Sequence, residues 1–87
     1  MIAVFASMSR ELAGFERRLT GRERASAHVR PLRLGYWRGK RVLLCRTGIG
    51  KRAEGVLRAV LEDHRPLLVL SVGVCGALDP KLRAGDL

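Results

Sequence analysis

The sequence has 87 residues, enough for one small domain, and 47% of them are hydrophobic, as in an ordinary globular protein. Seventeen Lys and Arg against eight Asp and Glu give a formal net charge of +9, but only 5% of residues are aromatic, which argues against a base-stacking nucleic-acid surface. No run of 18 apolar residues exists, which excludes a membrane-spanning helix.

Ile2-Ala3-Val4-Phe5-Ala6 reads as an apolar strand. As a leader it is too short and has no basic region before it, so a cytoplasmic protein is expected. After a short turn, Ser9 is the expected N-cap of a helix, since its hydroxyl can accept from a first-turn amide. Leu12, Phe15 and Leu19 give that helix one apolar face. Glu11 falls in its first turn. Two readings stand there: a carboxylate favourable to the helix dipole, or an acid/base group at the carboxyl end of the first strand.

Thr20 to His28 is polar and arginine-rich without a clear period, and reads as a loop. Val29 to Tyr36 alternates, with Leu32, Leu34 and Tyr36 on one face. With the glycine turn Trp37-Arg38-Gly39-Lys40 and the strand Arg41 to Arg46, it reads as a hairpin. Thr47-Gly48-Ile49-Gly50-Lys51 opens the next helix, whose core stripe is Ala53, Val56, Leu57, Val60 and Leu61. Pro66 closes it. The continuous apolar run from Leu67 then predicts a strand buried on both faces, so that strand, turn, helix and strand form a βαβ unit with parallel pairing. A small-residue turn, Gly73-Val74-Cys75-Gly76-Ala77, follows it directly. In open α/β sheets, ligands bind beyond such strand ends.

The two cysteines, Cys45 and Cys75, are expected to be buried, reduced thiols, with small filler the favoured role for Cys75 over a nucleophile. His28 and His64 lack metal-ligand spacing and read as surface residues, so neither metal nor cofactor is expected. Gly48 to Ala53 fits the G-x-G-x-x-G/A dinucleotide pattern, but no acid ends the next strand to hold a ribose. A nucleotide-binding module therefore stands as an alternative. Asp86-Leu87 reads as the start of a further strand, and 1–87 is expected to be the N-terminal part of one longer domain.

Four stretches in this order carry a resemblance. They are Met8-Ser9-Arg10-Glu11-Leu12 after the opening strand, Thr47 to Lys51, Ser71 to Leu78, and Leu82-Arg83-Ala84-Gly85-Asp86-Leu87. Together they resemble the N-terminal part of the nucleoside phosphorylase/nucleosidase superfamily, nearest to the 5'-methylthioadenosine/S-adenosylhomocysteine nucleosidases. The resemblance implies an α/β fold, the N-terminal portion of a three-layer α/β/α domain with a central mixed sheet, assembled as a homo-oligomer. It implies cleavage of the ribosyl N-glycosidic bond of a small-molecule nucleoside, with no nucleic acid or membrane as partner.

By the same resemblance, Glu11 holds the attacking water, and Met8, Ile49, Val74, Cys75 and Gly76 bind substrate. Val74 stands where the nucleosidases carry serine. The glycine turn also resembles that of hexameric purine phosphorylases, whose phosphate-binding arginine and serine match Ser71 and Val74 here. Water is therefore expected as the nucleophile, with phosphorolysis as the alternative. The resemblance also implies that the ribose-binding glutamate and purine-binding aspartate lie beyond residue 87, so these 87 residues alone are expected to be inactive.

Overall fold

The computed structural model describes residues 1–27 and 30–87. Five strands form one sheet: β1 (Ile2–Ala6), β2 (Thr20–Ala27), β3 (Arg30–Trp37), β4 (Lys40–Arg46) and β5 (Leu68–Ser71). Helix α1 (Ser9–Arg18) follows β1, and α2 (Arg52–His64) joins β4 to β5. The strand order is β2-β3-β4-β1-β5. β1 lies parallel between β4 and β5, while β2, β3 and β4 form an antiparallel meander. The sheet is mixed, as expected.

β1 is an interior strand, paired on both sides by β4 and β5; it is apolar at every position and so buries both faces. Its odd residues, Ala3 and Phe5, join Leu32, Leu34, Leu43 and Cys45 beneath Val56 and Val60 of α2. The even residues, Val4 and Ala6, join Val42 and Leu44 beneath Leu12 of α1 and Leu19. A helix on each face makes three layers. Leu32, Leu43 and Val60 are fully buried.

Gly35 lets the link from α1 to β2 lie close on β3. A Cβ there would stand 2.9 Å from Leu19 Cβ and 3.1 Å from the Thr20 carbonyl oxygen. The expected hairpin is present, with Trp37 opposite Lys40 across a two-residue turn. Both turn residues have positive φ, 50° at Arg38 and 77° at Gly39, which is the type I′ form that matches strand twist. On the hairpin's surface Arg41 donates to Glu23 at 2.7 Å and to the Tyr36 hydroxyl at 2.8 Å. These two bonds raise the pKa of its guanidinium, Glu23 contributing most.

Several expectations change. Thr20 to Ala27 is a strand rather than a loop, and its register with β3 shifts between Thr20 and Glu23. As an edge strand it is held by backbone pairing and keeps its arginines in solvent, so no apolar alternation marks it. His28 and Val29 lie outside the described residues. Helix α1 is capped at Met8 instead of Ser9. The Glu11 carboxylate takes over the capping, accepting from the Met8 N–H at 3.1 Å.

The β5 strand is not buried on both faces. It pairs with β1 alone among the described strands, and Leu68, Val69 and Leu70 are 49%, 43% and 40% exposed. The βαβ unit is parallel, but β1 sits between β4 and β5, so α2 crosses over one strand. Among the described residues neither cysteine is in a disulfide, as expected, yet only Cys45 is buried; Cys75 is exposed because its turn leaves the sheet. Phe15, expected on the core face of α1, is 39% exposed, and His64 is half-buried rather than on the surface.

Candidate active site

Parallel pairing brings the carboxyl ends of β1, β4 and β5 side by side. Three chain segments leave the sheet there: Ser7-Met8 into α1, Thr47 to Lys51 into α2, and Val72 to Gly76 after β5. Backbone bonds continue the ladder past the strand ends. Thr47 N–H donates to Ala6 O at 2.8 Å, Gly48 N–H to Ser7 O at 3.2 Å, and Val72 N–H to Phe5 O at 2.9 Å. The buried Thr47 hydroxyl lies 3.3 Å from Ala6 O and 3.0 Å from Gly48 O. These contacts fix the glycine loop against the end of β1.

Glu11 stands at the junction of the first and third segments. Its Oε2 accepts from Met8 N–H at 3.1 Å and its Oε1 from Val74 N–H at 3.4 Å. A Cβ on Gly73 would come within 3.4 Å of Oε1, so the chain passes close to the carboxylate there. Two backbone amides thus orient the carboxylate while the side chain stays half-buried. A carboxylate held this way is a fixed proton acceptor.

A cleft of about 560 Å³ opens between the start of α1 and the glycine loop, with Met8, Arg10, Arg46, Ile49 and Arg52 in its wall. A second, of about 370 Å³, lies on the α2 side and includes Thr47, Ile49, Ser71 and Val72. Met8 and Ile49 are therefore brought together, Met8 36% and Ile49 75% exposed. Val74 reaches Glu11 through its backbone, while its side chain is 81% exposed. Cys75 and Gly76 are exposed and line neither cleft.

Sequence reasoning missed Thr47, whose signal was a hydroxyl residue at the end of an apolar strand. It also missed Arg52, the first residue of α2. Among the described residues no three His, Cys, Asp or Glu side chains cluster as metal ligands would, and no helix is long and apolar enough to cross a membrane.

Residues 1–87 match the family model described as the phosphorylase superfamily. The chain belongs to that superfamily. Among its relatives is a 5'-methylthioadenosine/S-adenosylhomocysteine nucleosidase of Tolumonas auensis, 33% identical over 86 residues, which cover 98% of this chain and 37% of the relative. The enzyme of the same name from Staphylococcus epidermidis is 33% identical over 89 residues, covering 100% and 39%. Among solved structures, the nucleosidase of Colwellia psychrerythraea in complex with adenine superposes with a TM-score of 0.83 at 27% identity, covering 98% of this chain and 36% of its own. That of Streptococcus pneumoniae with a transition-state inhibitor gives 0.83 and 27%, covering 98% and 37%. The chain of this superfamily member thus spans under two-fifths of the length of these relatives. The α/β architecture with its mixed central sheet is that of the nucleosidases.

Proposed function

We propose that this chain supplies the nucleophile half of a site that hydrolyses the N-glycosidic bond of a purine nucleoside or 5'-thio-nucleoside. The observation that carries the reading is the Glu11 carboxylate, oriented by the Met8 and Val74 amides at the strand ends. In this reading the water oxygen bonds to the anomeric carbon as its proton passes to Glu11. The bond to the base breaks, and the purine leaves with the electron pair and takes up a proton. Met8 and Ile49 flank the 5' side of the sugar. Val74, Cys75 and Gly76 lie beside ribose and base. Residues 1–87 act as the first part of a single longer domain in a cytoplasmic homo-oligomer.

Water is the nucleophile in this proposal. Phosphate needs several cationic or hydroxyl donors converging on it, and the glycine turn offers Ser71 and an apolar Val74. The names of the relatives point the same way. The test incubates the full-length protein with methylthioadenosine, with and without inorganic phosphate. Free 5-methylthioribose at a rate indifferent to phosphate supports hydrolysis. A rate proportional to phosphate, with a 5-methylthioribose 1-phosphate product, overturns it.

A further inference from the structure

Arg33 lies between Leu32 and Leu34 on β3. Alternation turns the two leucines to the α2 face of the sheet and Arg33 to the α1 face. Register gives Arg33 a neighbour on each side: Arg24 of β2 stands directly opposite, and so does Leu44 of β4. Arg46 lies two residues beyond Leu44, on the same face and diagonal to Arg33. Side chains directly opposite start about 5 Å apart, and diagonal ones ~7–8 Å. Three arginines on three adjacent strands therefore share one patch.

Helix α1 covers Leu44 through Leu12 and leaves a groove of about 360 Å³ along its flank, with Glu16, Arg24, Arg33 and Arg46 in its wall. The groove runs away from the glycine loop and meets the catalytic cleft at one end, where Ser9 and Arg46 border both. Among the described residues, Glu16 is the one carboxylate in that wall. It engages Arg33 at the Nε edge, at 3.2 Å, with the two side chains 37% and 41% exposed. The guanidinium groups of Arg24 and Arg46 have no ion-pair or hydrogen-bond partner among the described residues.

Three cations thus face one carboxylate. Like charges directly opposite across a ladder destabilise it, as Arg24 and Arg33 do here. A half-exposed ion pair such as Glu16–Arg33 is weakly held and offsets little of this. An oxyanion in the groove would remove the repulsion and occupy the free donors. Guanidinium forks match phosphate oxygens in bidentate geometry. A tetrahedral phosphate offers oxygens in three directions, which suits donors arriving from three strands, whereas a carboxylate offers two oxygens in one plane.

We infer that this groove is an anion site apart from the catalytic cleft, and that it takes the phosphate group of a small molecule between Arg24, Arg33 and Arg46. The inference does not rest on the nucleosidase reading. Occupancy ties β2, which has β3 as its single described neighbour, to both other strands of the meander. A ligand that binds only the folded chain stabilises it in proportion to its occupancy.

The experiment titrates the full-length protein with inorganic phosphate and with glycerol 2-phosphate, at an ionic strength held constant with sodium chloride. Calorimetry and thermal unfolding are read together. Binding of at least one compound is expected, with a melting temperature that rises with its concentration. R24Q removes a side chain without a protein partner and is expected to raise Kd by roughly tenfold or more, the scale of one charge-assisted hydrogen bond. R24E, which sets a carboxylate opposite Arg33, is expected to abolish binding. R38Q deletes the same charge at the hairpin turn and is expected to leave Kd unchanged. Tighter inorganic phosphate identifies the free ion as the ligand, and tighter glycerol 2-phosphate identifies a phosphate ester; either upholds the inference.

Failure of both compounds to bind overturns it. So does binding that R24Q and R24E leave intact, which would put the anion in the catalytic cleft. Equal weakening in R24Q and R38Q also overturns it, because the anion would then be responding to the net charge of the chain rather than to this groove.

Discussion

Val74 N–H donates a hydrogen bond to Glu11 Oε1 over 3.4 Å, joining the turn after β5 to the first turn of α1. The same carboxylate closes the cap of α1 through Met8 N–H. One side chain therefore sets the relative position of two of the three segments at the strand ends.

Replacing Glu11 with Gln preserves the shape of this link and removes the base. Turnover of the full-length protein is expected to fall by ~10²–10⁴-fold, the usual contribution of a general acid–base group. The glutamine amide must also turn its NH₂ toward one of two N–H donors, so a small drop in melting temperature accompanies the loss. Steady-state kinetics and thermal unfolding on the same preparation check both. A loss smaller than ~5-fold, well short of the acid–base range, would leave Glu11 as a capping residue only.

Gly35 lies tightly against Leu19, the link between α1 and β2, and against the start of β2. Gly35→Ala places a methyl group against Leu19 Cβ and the Thr20 carbonyl at about 3 Å. Overpacking of this kind costs ~1–3 kcal/mol. Urea denaturation should show the midpoint falling with an unchanged slope; an unaltered midpoint refutes the close approach.

Gly39 provides a contrast, since nothing lies within 4 Å of a Cβ built on it. Gly39→Ala is strained only through its φ of 77°, and the left-handed backbone costs a non-glycine residue ~1–2 kcal/mol. A smaller loss, or none, indicates that the turn can change type without disturbing the Trp37–Lys40 pair. Amide exchange at Trp37 and Lys40 reports that directly.

Thr47 anchors the glycine loop from a buried position. Thr47→Val keeps the shape and the 2.8 Å bond from its own N–H to Ala6 O, but deletes the hydroxyl donor. A stability loss of ~0.5–1.5 kcal/mol is expected, that of one net hydrogen bond. Because the loop carries Ile49, the substrate KM should rise along with it. A rise in KM without a stability change would mean that the hydroxyl acts on substrate rather than on the loop.

Most of the fold was legible because apolar pattern reports burial. The all-apolar Ile2–Ala6 announced a strand, and Val56 and Val60 announced the buried face of α2. Arg38-Gly39 announced the tight hairpin. The Thr20–Ala27 strand was illegible because an edge strand with Arg22, Glu23 and Arg24 is held by backbone bonds, which leave no side-chain signature. The apolar run at Leu68–Leu70 misled in the opposite direction, since it encodes a tendency to be covered and the strand has a single described neighbour. At the site, the position of Glu11 after β1 was readable. Its bond to Val74 was not, because it depends on which strand lies beside β1 in space.

That placement of β1 has a kinetic consequence. β1 precedes every other strand, yet Ile2 pairs with Val42 on one side and Leu68 on the other. The β3–β4 hairpin needs only a two-residue closure, and hairpins form in ~1–10 μs. β1 must wait for long loops to close, so non-local parallel pairing limits the folding rate. The expected folding nucleus is then the meander with β1 docking onto β4, with β5 joining last. Gly39→Ala should slow folding, whereas a substitution such as Leu70→Ala should chiefly speed unfolding. Until β5 arrives, the hydrogen-bonding groups on one side of β1 face solvent, so the earliest strand in the chain is also the one longest exposed to mispairing with another molecule.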